Sequence, residues 1–271
     1  MTFEWRAATI KWTAIVGMMV LALAVMLGQA SAETYEDGTH GKHTISVFIA
    51  GDSTASDYAD NLAPRKGWGQ MFGALFDGKI TVVNKAASGR SSKSFIDEGR
   101  LDAVRGEMQK GDYLLIQFGH NDEKKEDASR YTEPGTTFKS YLKQYIDAAR
   151  EKGAVPVLIT PVERRGFTAD GQVKDSHGMY PNAVRELGEA ENVPVIDLTA
   201  KSKALYEELG PERTKSLFLW LNPGESTNYP NGVQDNTHFQ ENGAKQIAKL
   251  VAGGLDELKL HLRNHLVKEL R

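Results

Sequence analysis

Acyl transfer through a hydroxyl needs a nucleophile, a base to take its proton, a group to orient the base and donors for the oxyanion. Ser53 is the first candidate. It lies in "FIAGDSTAS", where an apolar run passes through Gly51 and Asp52 into polar residues. Such a segment reads either as a strand followed by a turn or helix cap, or as a hydroxyl presented at a strand end. Ser226 in "GESTN" also stands two residues after a glycine, but no apolar strand precedes it. Neither serine sits in a G-x-S-x-G elbow, since the first reads Gly51-Asp52-Ser53-Thr54-Ala55.

The chain has seven histidines. His40 and His43 fall in a polar lead-in, His177 in an insertion, and His261 and His265 in a charged tail, which leaves His120 and His238. Asp235 precedes His238 by three residues in "DNTH". That spacing lets a carboxylate reach Nδ1 of the imidazole and free Nε2 for a serine, or lets Asp235 or Asn236 cap the following helix. A D-x-x-H pair also suits a metal, but no other His/Asp cluster with metal spacing accompanies it, so neither metal nor cofactor is expected. Gly89 in "SGRS" offers a backbone N–H and Asn121 in "GHND" a side-chain amide. Each reads equally as an ordinary loop residue when taken alone.

Apolar segments short and rich in β-branched residues predict strands at Thr44–Ala50, Ile80–Asn84, Asp112–Phe118, Val155–Thr160 and Val193–Leu198. Helical spacing marks Gly67–Phe76, a stretch through Leu101 and Val104, Phe138–Gly153, Asn182–Ala190, and a last helix from near Gln240 to at least Ala252, with a break expected at Gly253–Gly254. Gly210–Asn236 reads as one long irregular loop. Strands alternating with helices imply a parallel sheet covered on both faces, whose ligands bind at the carboxyl ends of the strands. Ser53, "AASGRSS" and "GHND" follow the first three strands in turn, and "DNTH" precedes the last helix.

The amino-terminal 1–32, with Arg6 and Lys11 ahead of an apolar run and "ASA" at Ala30–Ala32, fits a cleavable secretory signal, leaving 33–271 as one domain. No stable membrane association is expected after cleavage. Cysteine is absent, which excludes disulfides and thiolate chemistry. A formal charge of −3 and a pI near 6.2 give no basic footprint for nucleic acid.

"GDST", "ASGRSS", "GHND" and "DNTH", in this order and context, resemble the conserved blocks of the SGNH (GDSL-type) hydrolases, over about Ser46 to Leu250. The resemblance implies a flavodoxin-like three-layer α/β/α sandwich with a five-stranded parallel sheet. It implies Ser53, Asp235 and His238 as the triad, and Ser53, Gly89 and Asn121 as oxyanion donors. "GWGQ", "GRSSKSF" and the histidine of "GHND" are similar to the secreted rhamnogalacturonan acetylesterases, with Thr54 where the broad family has leucine. The expectation is therefore a secreted, extracellular, monomeric esterase acting on acetylated pectic polysaccharide or oligosaccharide. Arg90, His120 and Trp68 are candidate substrate contacts, each with a structural role as the alternative. The runner-up activity is a lipolytic or other short-chain carboxylesterase. A noncatalytic polysaccharide-binding protein would keep the fold and lose the triad.

Overall fold

The computed structural model describes residues 44–270. The signal segment, the lead-in at 33–43 and its two histidines lie outside the described residues.

Five strands form a parallel sheet: β1 (Ile45–Gly51), β3 (Ile80–Asn84), β4 (Tyr113–Gln117), β5 (Val155–Ile159) and β6 (Val195–Ile196), in the spatial order β3-β1-β4-β5-β6. The strand order reverses at β1, and a sheet of this kind opens its crevice at that point. Alternation along β1 divides the core. Val47 and Ile49 join one apolar cluster, Phe48 and Ala50 the other. The first face is covered by α1 (Trp68–Phe72), α6 (Leu198–Thr214) and α7 (Glu241–Glu257). The second is covered by α2 (Ser92–Asp97), α3 (Arg100–Glu107), α4 (Lys139–Glu151) and α5 (Tyr180–Glu191). This is the expected three-layer α/β/α arrangement.

The remaining strands differ from the sequence reading. A second, antiparallel sheet joins β2 (Arg65–Lys66), β8 (Val233–Gln240) and β7 (Phe218–Leu221), in the order β2-β8-β7. The stretch read as one irregular loop, 210–236, thus holds the end of α6, all of β7 and the start of β8. Helix α6 itself escaped notice. Gly210 interrupts it with φ 72° and ψ 172°, and Pro211 follows, so the sequence carries break signals inside the helix. The expected break at Gly253–Gly254 does not occur. A Cβ on Gly254 would lie 2.5 Å from Ile196 Cγ2, so this glycine serves the close approach of α7 to β6.

The "GWG" motif has a structural purpose that bears on Ser53. A Cβ on Gly67 would meet the Ser56 carbonyl oxygen at 2.2 Å, so only glycine lets α1 press on the turn after β1. Trp68 N–H then donates to Thr54 O at 2.9 Å.

Candidate active site

Asp52 shapes the turn that exposes the Ser53 hydroxyl. Its Oδ1 accepts from Thr54 N–H and from Thr54 Oγ1–H, both at 2.8 Å, while its main-chain carbonyl accepts from Ser56 N–H at 3.1 Å and Ser56 Oγ–H at 2.8 Å. Tyr58 Oη–H donates to Ser53 O at 2.7 Å and fixes the backbone of the candidate nucleophile. The turn is buried apart from the side chain it presents, and Ser53 retains 7% exposure.

Ser53 Oγ lies 2.9 Å from His238 Nε2, and His238 Nδ1 lies 2.7 Å from Asp235 Oδ2. Burial pushes the Asp235 carboxyl up, but the hydrogen bond and charge of His238, with the N–H groups of His238 and Thr237, outweigh it and bring the group down to about 2. An ionised carboxylate only accepts, so Nδ1 carries the proton and Nε2 is free to accept from Ser53 Oγ–H.

An aspartate and a histidine three residues apart do not share a face in a regular strand. Here the ladder is irregular. From the Phe218–Phe239 pair to the Trp220–Gln234 pair, β7 advances two residues and β8 five. The extra residues of β8 bulge out, and Asp235 Oδ1 closes the bulge by accepting Thr237 N–H at 2.7 Å and His238 N–H at 3.0 Å. "DNTH" is thus a bulged strand segment, where the sequence reading had a loop ahead of a helix.

The oxyanion candidates stand on the neighbouring strands β3, β1 and β4. Gly89, with φ 81°, sits in the loop after β3, tied to the first turn by Ala87 N–H donating to Gly51 O at 2.9 Å. Asn121, in the loop after β4, donates one amide hydrogen to Arg90 O at 3.0 Å and keeps the other. The Ser53 and Gly89 N–H groups meet no acceptor among the described residues. Asp122 binds the two later loops together, accepting from Ser92 N–H at 3.1 Å, Ser92 Oγ–H at 2.5 Å and Thr132 Oγ1–H at 3.0 Å. Its burial pushes the carboxyl up to about 7 against those three donors.

Of the three candidate substrate contacts, Trp68 and His120 are corrected by their burial. Trp68 is wholly buried, and its Nε1–H donates to Gln117 Oε1 at 2.6 Å. His120 is 3% exposed, with Nδ1 3.2 Å from Asp52 Oδ2 and its ring edge-on to His177 at 4.4 Å. Burial lowers its basicity to about 4 despite Asp52, leaving a neutral packing residue at neutral pH. Arg90 is partly exposed, with Nε donating to Glu98 at 3.0 Å and Nη1 to Ser88 O at 2.8 Å, and Nη2 makes no hydrogen bond among the described residues. Ser226 Oγ–H donates to Ala63 O at 3.4 Å, and no hydrogen bond joins it to a histidine among the described residues.

Sequence reasoning also set His177 aside as part of an insertion. It is buried, with Glu123 Oε2 at 3.0 Å from Nδ1 and Val162 O at 2.9 Å from Nε2. Arg164 links this group to the triad segment, meeting Glu123 Oε1 at 2.5 Å and Thr237 Oγ1 at 3.2 Å. Among the described residues no cluster of three or more histidine, cysteine or carboxylate side chains is arranged to hold a metal, and no helix is long and apolar enough to cross a membrane.

Residues 49–246 match the model of the GDSL-like lipase/acylhydrolase family. The chain is 52% identical over 226 residues to the rhamnogalacturonan acetylesterase RhgT of Bacillus subtilis, covering 83% of this chain and 96% of that one. It is 44% identical to a probable rhamnogalacturonan acetylesterase, YesY, of the same organism, covering 82% and 98%. Among solved structures, the protein YxiM of Bacillus subtilis superposes with a TM-score of 0.67 at 28% identity, over 80% of this chain and 58% of that longer protein.

Proposed function

Because the chain belongs to the GDSL-like lipase/acylhydrolase family of carboxylic ester hydrolases, we propose that it removes O-acetyl groups from a pectic polysaccharide of the rhamnogalacturonan type, with Ser53, His238 and Asp235 as its triad. The observation that carries this reading is the unbroken relay from Ser53 Oγ through His238 to Asp235, at 2.9 and 2.7 Å.

Ser53 Oγ attacks the acetyl carbonyl carbon as its proton passes to His238 Nε2. The N–H groups of Ser53 and Gly89 and the free Asn121 amide hydrogen receive the oxyanion. Collapse breaks the bond to the sugar oxygen, which takes the proton from His238, and leaves acetyl-Ser53. Water then attacks the acyl group, again giving its proton to His238. Acetate leaves and Ser53 regains its hydrogen. Asp235 holds the imidazole in the productive tautomer and stabilises the imidazolium formed in each half.

The acetyl preference draws support from the surface and from the relatives at 52% and 44% identity. Among the described residues only Leu62, Met179 and Leu258 are exposed large apolar side chains, which is no platform for a long acyl chain. The basic-then-apolar segment at 1–32 supports secretion to where such a polymer is found. Two substrate comparisons test the reading. On aryl esters, kcat/KM is expected to fall steeply from acetyl to octanoyl, and acetylated rhamnogalacturonan is expected to release more acetate than acetylated xylan. Preference for octanoyl esters, or no acetate from any pectic fraction, would establish a lipolytic esterase instead.

A further inference from the structure

Two arginines around the triad, Arg65 and Arg165, meet no carboxylate within 4 Å among the described residues, and each has a buried Nε without a partner, but their terminal nitrogens differ. Arg90 is paired with Glu98 and Arg164 with Glu123, while Arg165 gives its two terminal nitrogens to Asn236 Oδ1 and Pro211 O and stacks over Trp220 at 4.6 Å. Arg65 meets no carboxylate among the described residues. Its single hydrogen bond runs from Nη2 to Tyr58 Oη at 2.8 Å, with the guanidinium carbon 4.3 Å from the centre of the Tyr58 ring. Nε is buried without a partner, and Nη1 makes no hydrogen bond among the described residues.

The position of this cation is fixed. Arg65 stands on β2 opposite Gln240 of β8, and Gln240 lies two residues beyond His238 on the same strand. Tyr58 Oη–H continues to Ser53 O at 2.7 Å, so two hydrogen bonds link the guanidinium to the backbone of the nucleophile. The flanking cation Lys66 has the exposed Asp60 at 4.0 Å, and Asp57 accepts from Asn84 Nδ2 at 2.6 Å. A half-buried, pre-positioned fork with terminal donor hydrogens to spare, joined through Tyr58 to the Ser53 backbone, suits one kind of ligand group: a carboxylate.

We propose that Arg65 recognises a uronate carboxylate of the substrate and so makes the enzyme selective for acetyl groups on acidic polysaccharide. This rests on the pectic reading above, since a rhamnogalacturonan backbone alternates a neutral deoxysugar with a uronic acid. The uronate docks on Nη1 and Nη2 while the acetyl group of the same or the adjoining sugar reaches Ser53. Arg65 is thus a specificity residue, and it acts through binding.

The test compares an acetylated rhamnogalacturonan oligosaccharide with the same oligosaccharide after methyl esterification of its carboxyls, with acetate release as the readout. Wild type is expected to favour the acidic form by about tenfold or more in kcat/KM, chiefly through KM. That preference should shrink as ionic strength rises. Arg65→Gln is expected to bring the ratio of the two substrates close to one, and Arg65→Lys to keep part of it. Any change in kcat transmitted through Tyr58 affects both substrates and cancels in the ratio. Equal rates for wild type on the two forms, or an unchanged ratio in Arg65→Gln, overturn the assignment. An effect of Arg65→Gln confined to inhibition by free acetate, with the substrate ratio intact, also overturns it by assigning the site to the product. No acetate from either oligosaccharide overturns the pectic reading, and this one with it.

Discussion

Ser53→Ala is expected to lower kcat on an aryl acetate by roughly a factor of a million while leaving the fold intact. In the proposed mechanism the Ser53 oxygen is the atom that becomes acylated, so its removal deletes the reaction path, and only slow hydrolysis assisted by the oxyanion donors remains. Stability should hardly change. Ser53 Oγ makes its one hydrogen bond to His238 Nε2, and the turn is held by Asp52, Thr54, Ser56 and Tyr58. The check is kcat together with the urea midpoint. Near-wild-type activity in Ser53→Ala beside a dead Ser226→Ala variant would move the nucleophile to the other serine.

Asp235→Asn should cost about ten thousandfold in kcat. The amide oxygen can still accept from the Thr237 and His238 N–H groups, so the bulge in β8 survives. The amide nitrogen, in the place of Oδ2, donates where a carboxylate accepted. That turns His238 to the tautomer with hydrogen on Nε2, which cannot take the serine proton. Because the carboxyl sits at about 2, it stays ionised far below neutrality. Its contribution to stability is present above its ordinary value of about 3.8 and is lost only as pH falls towards 2. A variant keeping most of its kcat with a lowered urea midpoint would show that Asp235 only shapes the bulge.

How much of this was legible in the sequence depended on whether the signal was local. β1, β4 and β5 declare themselves because strands buried on both faces need short, unbroken apolar runs, as in "SVFIA" and "YLLI", while the half-exposed edge strand β3 shows through its β-branched residues in "ITVV". In the antiparallel sheet only β7, "FLWL", is such a run, and it stands among the Gly, Pro and Asn residues of a stretch that otherwise reads as loop. Arg65–Lys66 and Val233–Gln240 are largely polar, and their pairing exists only once the chain has folded. The candidate site residues were legible for the same reason, each set in its own short block. The contacts misread were those whose burial depends on distant partners. Trp68 looks available until Gln117 takes its N–H, and His120 until His177 and Asp52 close over it. Arg65 gave no signal at all. Nothing in "APRKG" says that a basic residue there will pair with Gln240, two residues past His238, and meet no carboxylate among the described residues.

The central claim is that Ser53 carries the acyl group, and covalent labelling reads it directly. Wild-type protein is treated with a fluorophosphonate ester, and both the intact mass and the peptide holding the adduct are determined. One adduct per chain is expected, on Ser53, rising in step with loss of esterase activity and absent from Ser53→Ala. An adduct on Ser226 or any other residue that tracks the loss of activity, or full activity in protein labelled at Ser53, would contradict the account.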